Sequence, residues 1–165
     1  MHSNSFNRIN PWILIIIFVV LIIIGFIALI LFIRRNRNNL SGPSDATQEI
    51  PSPTLPEGIN PTGQVIGNVS FDRVTYRGTA SNLSGPVTAA HFHLAPKGVA
   101  GPIVKTLAPV NQADQWIVEG TWARTDTTEP LTSELVKAFN ENRIYINWHT
   151  TLNPNGELRG QLIHS

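Results

Sequence analysis

The first pattern along the chain is an uninterrupted apolar run over residues 13–33, built only from Ile, Leu, Val, Phe, Gly and Ala. At about 1.5 Å per residue, a helix formed by this run matches the roughly 30 Å hydrocarbon core of a bilayer. A helix of this length in a soluble core would show a polar stripe, and the run has none. The pattern therefore predicts a transmembrane helix over 13–33 that follows a short N-terminal tail over 1–12.

The flanks of this run favour a permanent anchor over a cleaved signal peptide. Trp12 precedes it and suits the headgroup region of a bilayer. Three arginines follow it directly: Arg34, Arg35 and Arg37. A signal peptide instead has an apolar region of about 7–15 residues that ends in small residues at the cleavage site. We therefore expect a single-pass membrane protein that contacts the lipid bilayer through 13–33.

The next segment, 34–62, is rich in Asn, Ser, Pro, Thr and Gly and shows no periodic apolar pattern. Its prolines discourage helix formation, because proline lacks the N–H that a helix interior needs. These prolines are Pro43, Pro51, Pro53, Pro56 and Pro61. We expect a semi-extended linker that holds the following domain off the bilayer.

From residue 63 to residue 165, apolar positions alternate with polar ones, which is typical of half-buried β-strands. In the first predicted strand, Val65, Val69 and Phe71 share one face. Six further strands are separated by turns rich in Gly and Pro: 74–80, 88–94, 103–107, 116–122, 144–150 and 157–163. About seven strands at this spacing predict an all-β fold, an antiparallel β-sandwich.

One short helix interrupts these strands. Thr132 is placed to cap its N-terminus, Glu134 lies in its first turn, and Phe139 belongs to its apolar side. Farther along, residues 153–156 read Asn-Pro-Asn-Gly, which predicts a tight turn with Gly156 free to adopt a positive φ. The last two strands should therefore form a hairpin.

Charge and composition exclude several classes of function. Residues 1–44 contain four arginines and no acid, whereas the remaining 121 residues contain 8 basic and 11 acidic side chains. This mildly acidic domain lacks the basic stripe that phosphate contacts need, so we expect no nucleic-acid partner. The absence of cysteine excludes a disulfide scaffold, a Cys-ligated zinc site and a thiol nucleophile.

Three of the five histidines are candidate metal ligands. His91 and His93 alternate with Phe92 in a predicted strand, so both imidazoles leave the same face, some 7 Å apart. His149 lies at the end of another strand. If the two strands are neighbours, the three rings converge on a metal such as Zn or Cu, which neutral imidazole suits. The alternative is that these histidines are structural and satisfied by backbone or carboxylate hydrogen bonds.

The remaining strand residues favour structural roles. Trp148 alternates with His149 and should face the core. Glu157 and Arg159 share one face of the last strand, where we expect an ion pair or support of the turn. The sequence contains no phosphate-binding glycine loop, nucleophile elbow or metalloprotease helix, so we expect no catalytic site.

Four sequence blocks resemble the CHRD domain, a family named for its repeats in chordin. They are QEIP at 48–51, AAHFHLAPKGVAGPIV at 89–104, LTSELVKAF at 131–139 and YINWHTTLNPNGELRGQL at 145–162. The resemblance begins near residue 48 and runs to 163. It implies a β-rich binding module without established catalysis, commonly found on exported proteins.

The resemblance also bears on orientation and function. It implies an extracytoplasmic β domain, although the arginines after the apolar run favour the cytoplasmic side. We expect a membrane-anchored binding or structural module with a protein or envelope component as its partner. The alternative is a His-ligated metal-binding domain. This alternative includes redox activity, since the His-x-His strand is also similar to the copper-ligand strand of Cu/Zn superoxide dismutases. The further histidines and the Asp of that site have no counterpart assigned in this sequence.

Overall fold

This computed structural model describes residues 10–164, without the side chains of residues 33–37. The chain divides into two compact units, one ending at Arg37 and the other beginning at Asn38. Residues 1–9 of the expected N-terminal tail lie outside the described part, as does Ser165.

The first unit is a single helix, α1, over Pro11–Arg37. Asn10 caps its N-terminus, because its Oδ1 accepts a hydrogen bond from the Trp12 N–H at 3.0 Å. The stretch Pro11–Phe32 has a mean hydropathy of 3.7, and none of it is buried within the protein. Among the described residues, this is the one helix long and apolar enough to cross a membrane, a property that signal sequences share. The apolar helix expected over 13–33 is therefore present and extends beyond both ends of that range.

The second unit is built on one sheet of nine strands, in the spatial order β5-β4-β8-β9-β1-β2-β3-β7-β6. Every neighbouring pair is antiparallel. The strands are β1 Asn39–Asp45, β2 Thr62–Val69, β3 Arg73–Ser81, β4 Val87–Leu94, β5 Ile103–Leu107, β6 Val110–Gln112, β7 Gln115–Ala123, β8 Ile144–Thr150 and β9 Leu158–His164.

The sheet curls so that its two halves pack face to face around one core. Tyr76 on β3 and Phe92 on β4 are far apart in the strand order, yet their ring centroids are 5.1 Å apart. Phe92 also stacks on Trp122 of β7, with centroids 6.2 Å apart. The predicted all-β antiparallel fold is confirmed, with nine strands in a curled sheet instead of about seven.

The expected linker over 34–62 needs correction, because β1 lies inside it at the centre of the sheet. Ser41 of β1 is paired on one side with Ile66 of β2 and on the other with Ile163 of β9. Leu40 is the one large apolar residue in this strand, so the alternation of apolar and polar side chains gives no signal. Gly42 fits because a Cβ there would lie 1.9 Å from the Gln161 carbonyl oxygen. The β domain therefore begins before residue 63.

Local predictions within the β domain agree with the structure. Helix α2 spans Ser133–Asn140, and Thr132 Oγ1 accepts a hydrogen bond from the Leu135 N–H at 3.2 Å. Gly156 adopts a φ of 127° in the turn between β8 and β9. One residue was placed wrongly: Phe71 lies beyond the end of β2 and is exposed, so it does not share the buried face of Val65.

Candidate metal centre

The centre forms on the outer face of β4 and β8, which carries polar side chains although it is largely buried. Trp148 points into the core and is fully buried, as expected. The neighbouring Asn147 and His149 leave the opposite face of β8, yet they too are buried. Residues 95–102, the β4–β5 loop, bond to Tyr145 on this face and to Arg159 of β9. A polar face that is covered in this way can hold side chains in fixed positions.

The pairing of β4 with β8 brings the three candidate histidines together. His91 lies opposite Asn147, and Ala89 lies opposite His149. One possible ligand atom from each of His91, His93 and His149 lies within 4.8 Å of the others. The closest contact is between His91 Nδ1 and His149 Nε2, at 3.1 Å.

Backbone carbonyls set the protonation of two of these rings. His93 Nδ1 donates to the Gly101 carbonyl oxygen at 2.9 Å, and His149 Nδ1 donates to the Pro154 carbonyl oxygen at 2.9 Å. A neutral imidazole that is protonated at Nδ1 has its free lone pair at Nε2. Metal-bound histidines in proteins usually make this same hydrogen bond to a carbonyl or carboxylate through the nitrogen that does not bind the metal.

His93 and His91 differ in their exposure to solvent and in their hydrogen bonds. His93 is 7% exposed, and its buried Nε2 has no hydrogen-bond partner among residues 10–164. His91 is half-buried and is the donor to His149, because the His149 Nε2 carries the lone pair. The cluster thus combines a buried acceptor without a partner in the described part of the chain, His93 Nε2, with a partly solvent-exposed histidine, His91.

The environment keeps all three imidazoles neutral at physiological pH. Burial, followed by the proximity of His149 and His93, lowers the pKa of His91 to about 4. Burial also lowers the pKa of His93 and of His149, although their carbonyl partners act in the opposite direction. Since the neutral ring is the form that binds metals, the cluster is ready to act as a ligand set.

Tyr145 and Arg159 support the cluster from the side of β9. The Tyr145 ring stacks on His93, with centroids 4.9 Å apart and planes 14° apart. The Arg159 guanidinium lies 3.6 Å from the Tyr145 ring centroid. The expected ion pair between Glu157 and Arg159 is not present among the described residues. Glu157 instead accepts hydrogen bonds from Ser84, Thr150 and Asn153, which agrees with the alternative of turn support.

Sequence reasoning missed Glu49, which lies in the segment expected to be a linker. Glu49 is 3% exposed, and burial raises the pKa of its carboxyl group to about 6. Glu49 Oε2 and Asn147 Oδ1 are both buried without a hydrogen-bond partner in the described part of the chain. The QEIP block was the one signal in the sequence that pointed to this residue, and it carried no indication of burial.

These features define a class of protein: a small antiparallel β module with a buried polar face, preceded by an apolar helix. The chain belongs to the CHRD domain family, whose model matches residues 40–162. The match begins at residue 40, within β1, and not near residue 48 as expected. Neither the curated proteins nor the solved structures contain a significant match. Family membership favours a binding or structural module.

Proposed function

We propose that this protein is a membrane-anchored binding module whose β domain holds a transition-metal ion, Zn²⁺ or Cu²⁺, on His91, His93 and His149. The convergence of the three imidazoles carries this proposal, since one ligand atom of each lies within 4.8 Å of the others. A metal ion would also give the buried His93 Nε2 the partner it lacks within the described residues. Membership of the CHRD family supports a role in binding without catalysis.

One pair of nitrogens in the cluster already has the spacing that the ion requires. Tetrahedral Zn²⁺ with Zn–N bonds of about 2.0–2.1 Å requires ligand nitrogens about 3.3 Å apart. His91 Nδ1 and His149 Nε2 are already 3.1 Å apart. For His91 to bind through Nδ1, its proton must move from Nδ1 to Nε2. This change gives the other neutral tautomer of the ring. Three protein ligands leave a fourth position for water or for a group from a partner.

The metal content of the full-length protein, purified without a His tag or chelator, tests this proposal. We expect about one equivalent of zinc after loading, measured by elemental mass spectrometry, and none in the His91→Ala/His149→Ala variant. His164→Ala is the matched control and should retain the metal, because His164 lies outside the cluster. Full zinc content in the double variant, or a folded parent that takes up none, would contradict the proposal.

The proposal also includes the location of the two units. Helix α1 anchors the protein in the bilayer, and the β domain lies on the extracytoplasmic side, where it binds a protein or envelope component. The apolar stretch Pro11–Phe32 supports the anchor. The side of the membrane rests on the resemblance to exported CHRD proteins.

Because the chain contains no cysteine, one introduced thiol can report the orientation. Leu152 lies in an exposed turn, so Leu152→Cys supplies a reactive group on the β domain. We expect a membrane-impermeant maleimide to label this variant in intact cells, in the fraction that resists carbonate extraction. Labelling that requires permeabilised cells would place the domain in the cytoplasm, and release by carbonate would exclude the anchor.

A further inference from the structure

We propose that metal occupancy of the histidine cluster controls the conformation of the β4–β5 loop, residues 95–102. This inference rests on the proposed metal binding and adds a means of regulation to it. The loop would be held more rigidly when the ion is bound than when the ion is absent. The β domain would therefore present a more ordered surface in its metal-bound state than in its metal-free state.

Side chains of the polar face hold the loop through its backbone. Gln161 Nε2 donates to the Ala95 carbonyl at 3.2 Å. Arg159 donates to the carbonyls of Pro96 and Val99, at 3.0 and 2.9 Å. Tyr145 and His93 complete this set by bonding to Gly101. One proposed metal ligand is therefore among the few side chains that position the loop.

Gly101 is the point where the loop and the cluster are joined. Its carbonyl accepts the hydrogen bond from His93 Nδ1 at 2.9 Å, and its N–H donates to Tyr145 Oη at 3.1 Å. The Tyr145 ring itself stacks on the His93 ring. A Cβ on Gly101 would lie 2.1 Å from the Leu94 carbonyl oxygen, so the loop backbone lies close to Leu94 and leaves no room for a side chain there. The position of Gly101 and the orientation of the His93 ring therefore depend on each other.

Metal binding at His93 Nε2 acts on this connection directly. The ion withdraws electron density from the imidazole, which makes the Nδ1–H a stronger donor to the Gly101 carbonyl. The bound ion also fixes the ring orientation that the loop requires. By linkage, any change that displaces the loop must weaken metal binding by the same factor by which the metal stabilises the loop. Changes to such supporting hydrogen bonds typically reduce metal affinity about 10–100-fold.

Hydrogen exchange of the full-length protein in detergent micelles, with and without zinc, tests the coupling. We expect zinc to slow exchange in a peptide covering residues 95–102 about tenfold or more. A peptide covering the β2–β3 turn, residues 70–72, serves as the internal control and should exchange at the same rate in both states. The His93→Ala variant should lose the effect of zinc on the loop.

Two loop variants test the reverse direction. We expect Gly101→Ala to lower zinc affinity about 10–100-fold, because the added Cβ displaces the carbonyl that orients His93. Gly98→Asn is the matched control: Gly98 has a φ of 80° that Asn tolerates, and a Cβ there meets nothing within 4 Å. Its zinc affinity should be unchanged. If Gly101→Ala does not fold, Tyr145→Phe removes just the hydroxyl that binds the Gly101 N–H and should reduce the protection by zinc.

The outcomes separate this inference from the proposed metal site. Zinc could bind through the three histidines without changing hydrogen exchange in the loop, and Gly101→Ala could bind zinc as tightly as the wild type. These results together would overturn the coupling and leave the metal site intact. A wild-type protein that binds no zinc would overturn both.

Discussion

The carboxyl group of Glu49 is buried in the charged form at neutral pH, and this should destabilise the fold. Glu49 Oε1 accepts a hydrogen bond from the Ile50 N–H at 3.0 Å, whereas Oε2 has no partner among the described residues. Burial raises the pKa of Glu49 from 4.5 to about 6, although the Ile50 N–H, the charge of Arg159 and the nearby Asn147 side chain oppose this change. The free energy of unfolding should therefore increase when the charge is removed by Glu49→Gln.

The magnitude follows from the two pKa values. Because the folded pKa lies above the unfolded one, the folded state binds the proton more tightly between pH 4.5 and about pH 6. Stability is therefore lost as the pH rises through this window and is constant above it. A tenfold difference in proton affinity corresponds to about 1.4 kcal/mol, so the loss amounts to about 2 kcal/mol. Glu49→Gln should be more stable than the parent by this amount at pH 8 and equally stable at pH 4.

Urea unfolding of the full-length protein in detergent micelles, followed by tryptophan fluorescence at pH 4, 6 and 8, measures this difference. The control is Glu57→Gln, an exposed position in the same segment, whose stability should match that of the parent. If Glu49→Gln were less stable than the parent by more than about 1 kcal/mol at pH 8, the reasoning would be refuted. Such a result would mean that Arg159 stabilises the carboxylate more than burial destabilises it.

Three further predictions concern the core, the domain boundary and the metal. Trp148→Ala should lower the free energy of unfolding by about 3–5 kcal/mol, because the side chain is fully buried, and a loss below about 1 kcal/mol would contradict the assignment of the strand faces. A fragment over 38–165 should show the near-UV circular dichroism of the full-length domain. A fragment over 63–165 should not, because it lacks β1, which lies between β9 and β2. Equal spectra for the two fragments would show that the fold does not need β1. Since burial lowers the pKa of all three cluster histidines below the usual 6.5, protons compete with the metal at a lower pH than they would at exposed imidazoles, and zinc content should fall at a pH below 6.5. A decline centred near pH 6.5 would indicate that the rings are solvated.

Features that depend on neighbouring residues were predicted correctly from the sequence. The seven predicted strands correspond to β2, β3, β4, β5, β7, β8 and β9. Alternation of side chains identified them because each has one face in the core. Thr132 and Gly156 were also assigned correctly, since a helix cap and a positive φ involve a few consecutive residues.

The two missed strands lack this local signal. In β1, Leu40 is the one large apolar residue among Ser, Gly, Pro, Asn and Asp, and β6 contains just three residues, Val110–Gln112. The backbone of β1 becomes a strand because β2 and β9 offer unpaired N–H and C=O groups on both sides. Along the chain, β2 is about twenty residues from β1 and β9 is more than a hundred residues from it. No local sequence pattern therefore reveals either pairing.

The apolar helix, the antiparallel β class and the face from which each histidine leaves its strand could be predicted from the sequence, because side-chain periodicity follows from the backbone geometry of helices and strands. Tertiary contacts were needed to establish that β4 and β8 are neighbours, that β1 lies at the centre of the sheet, and that the β4–β5 loop bonds to His93. These features arise from hydrogen bonds and burial between segments far apart in the chain. The convergence of His91, His93 and His149 belongs to this second group: its residues were visible in the sequence, and only the order of the strands brought their nitrogens within 4.8 Å.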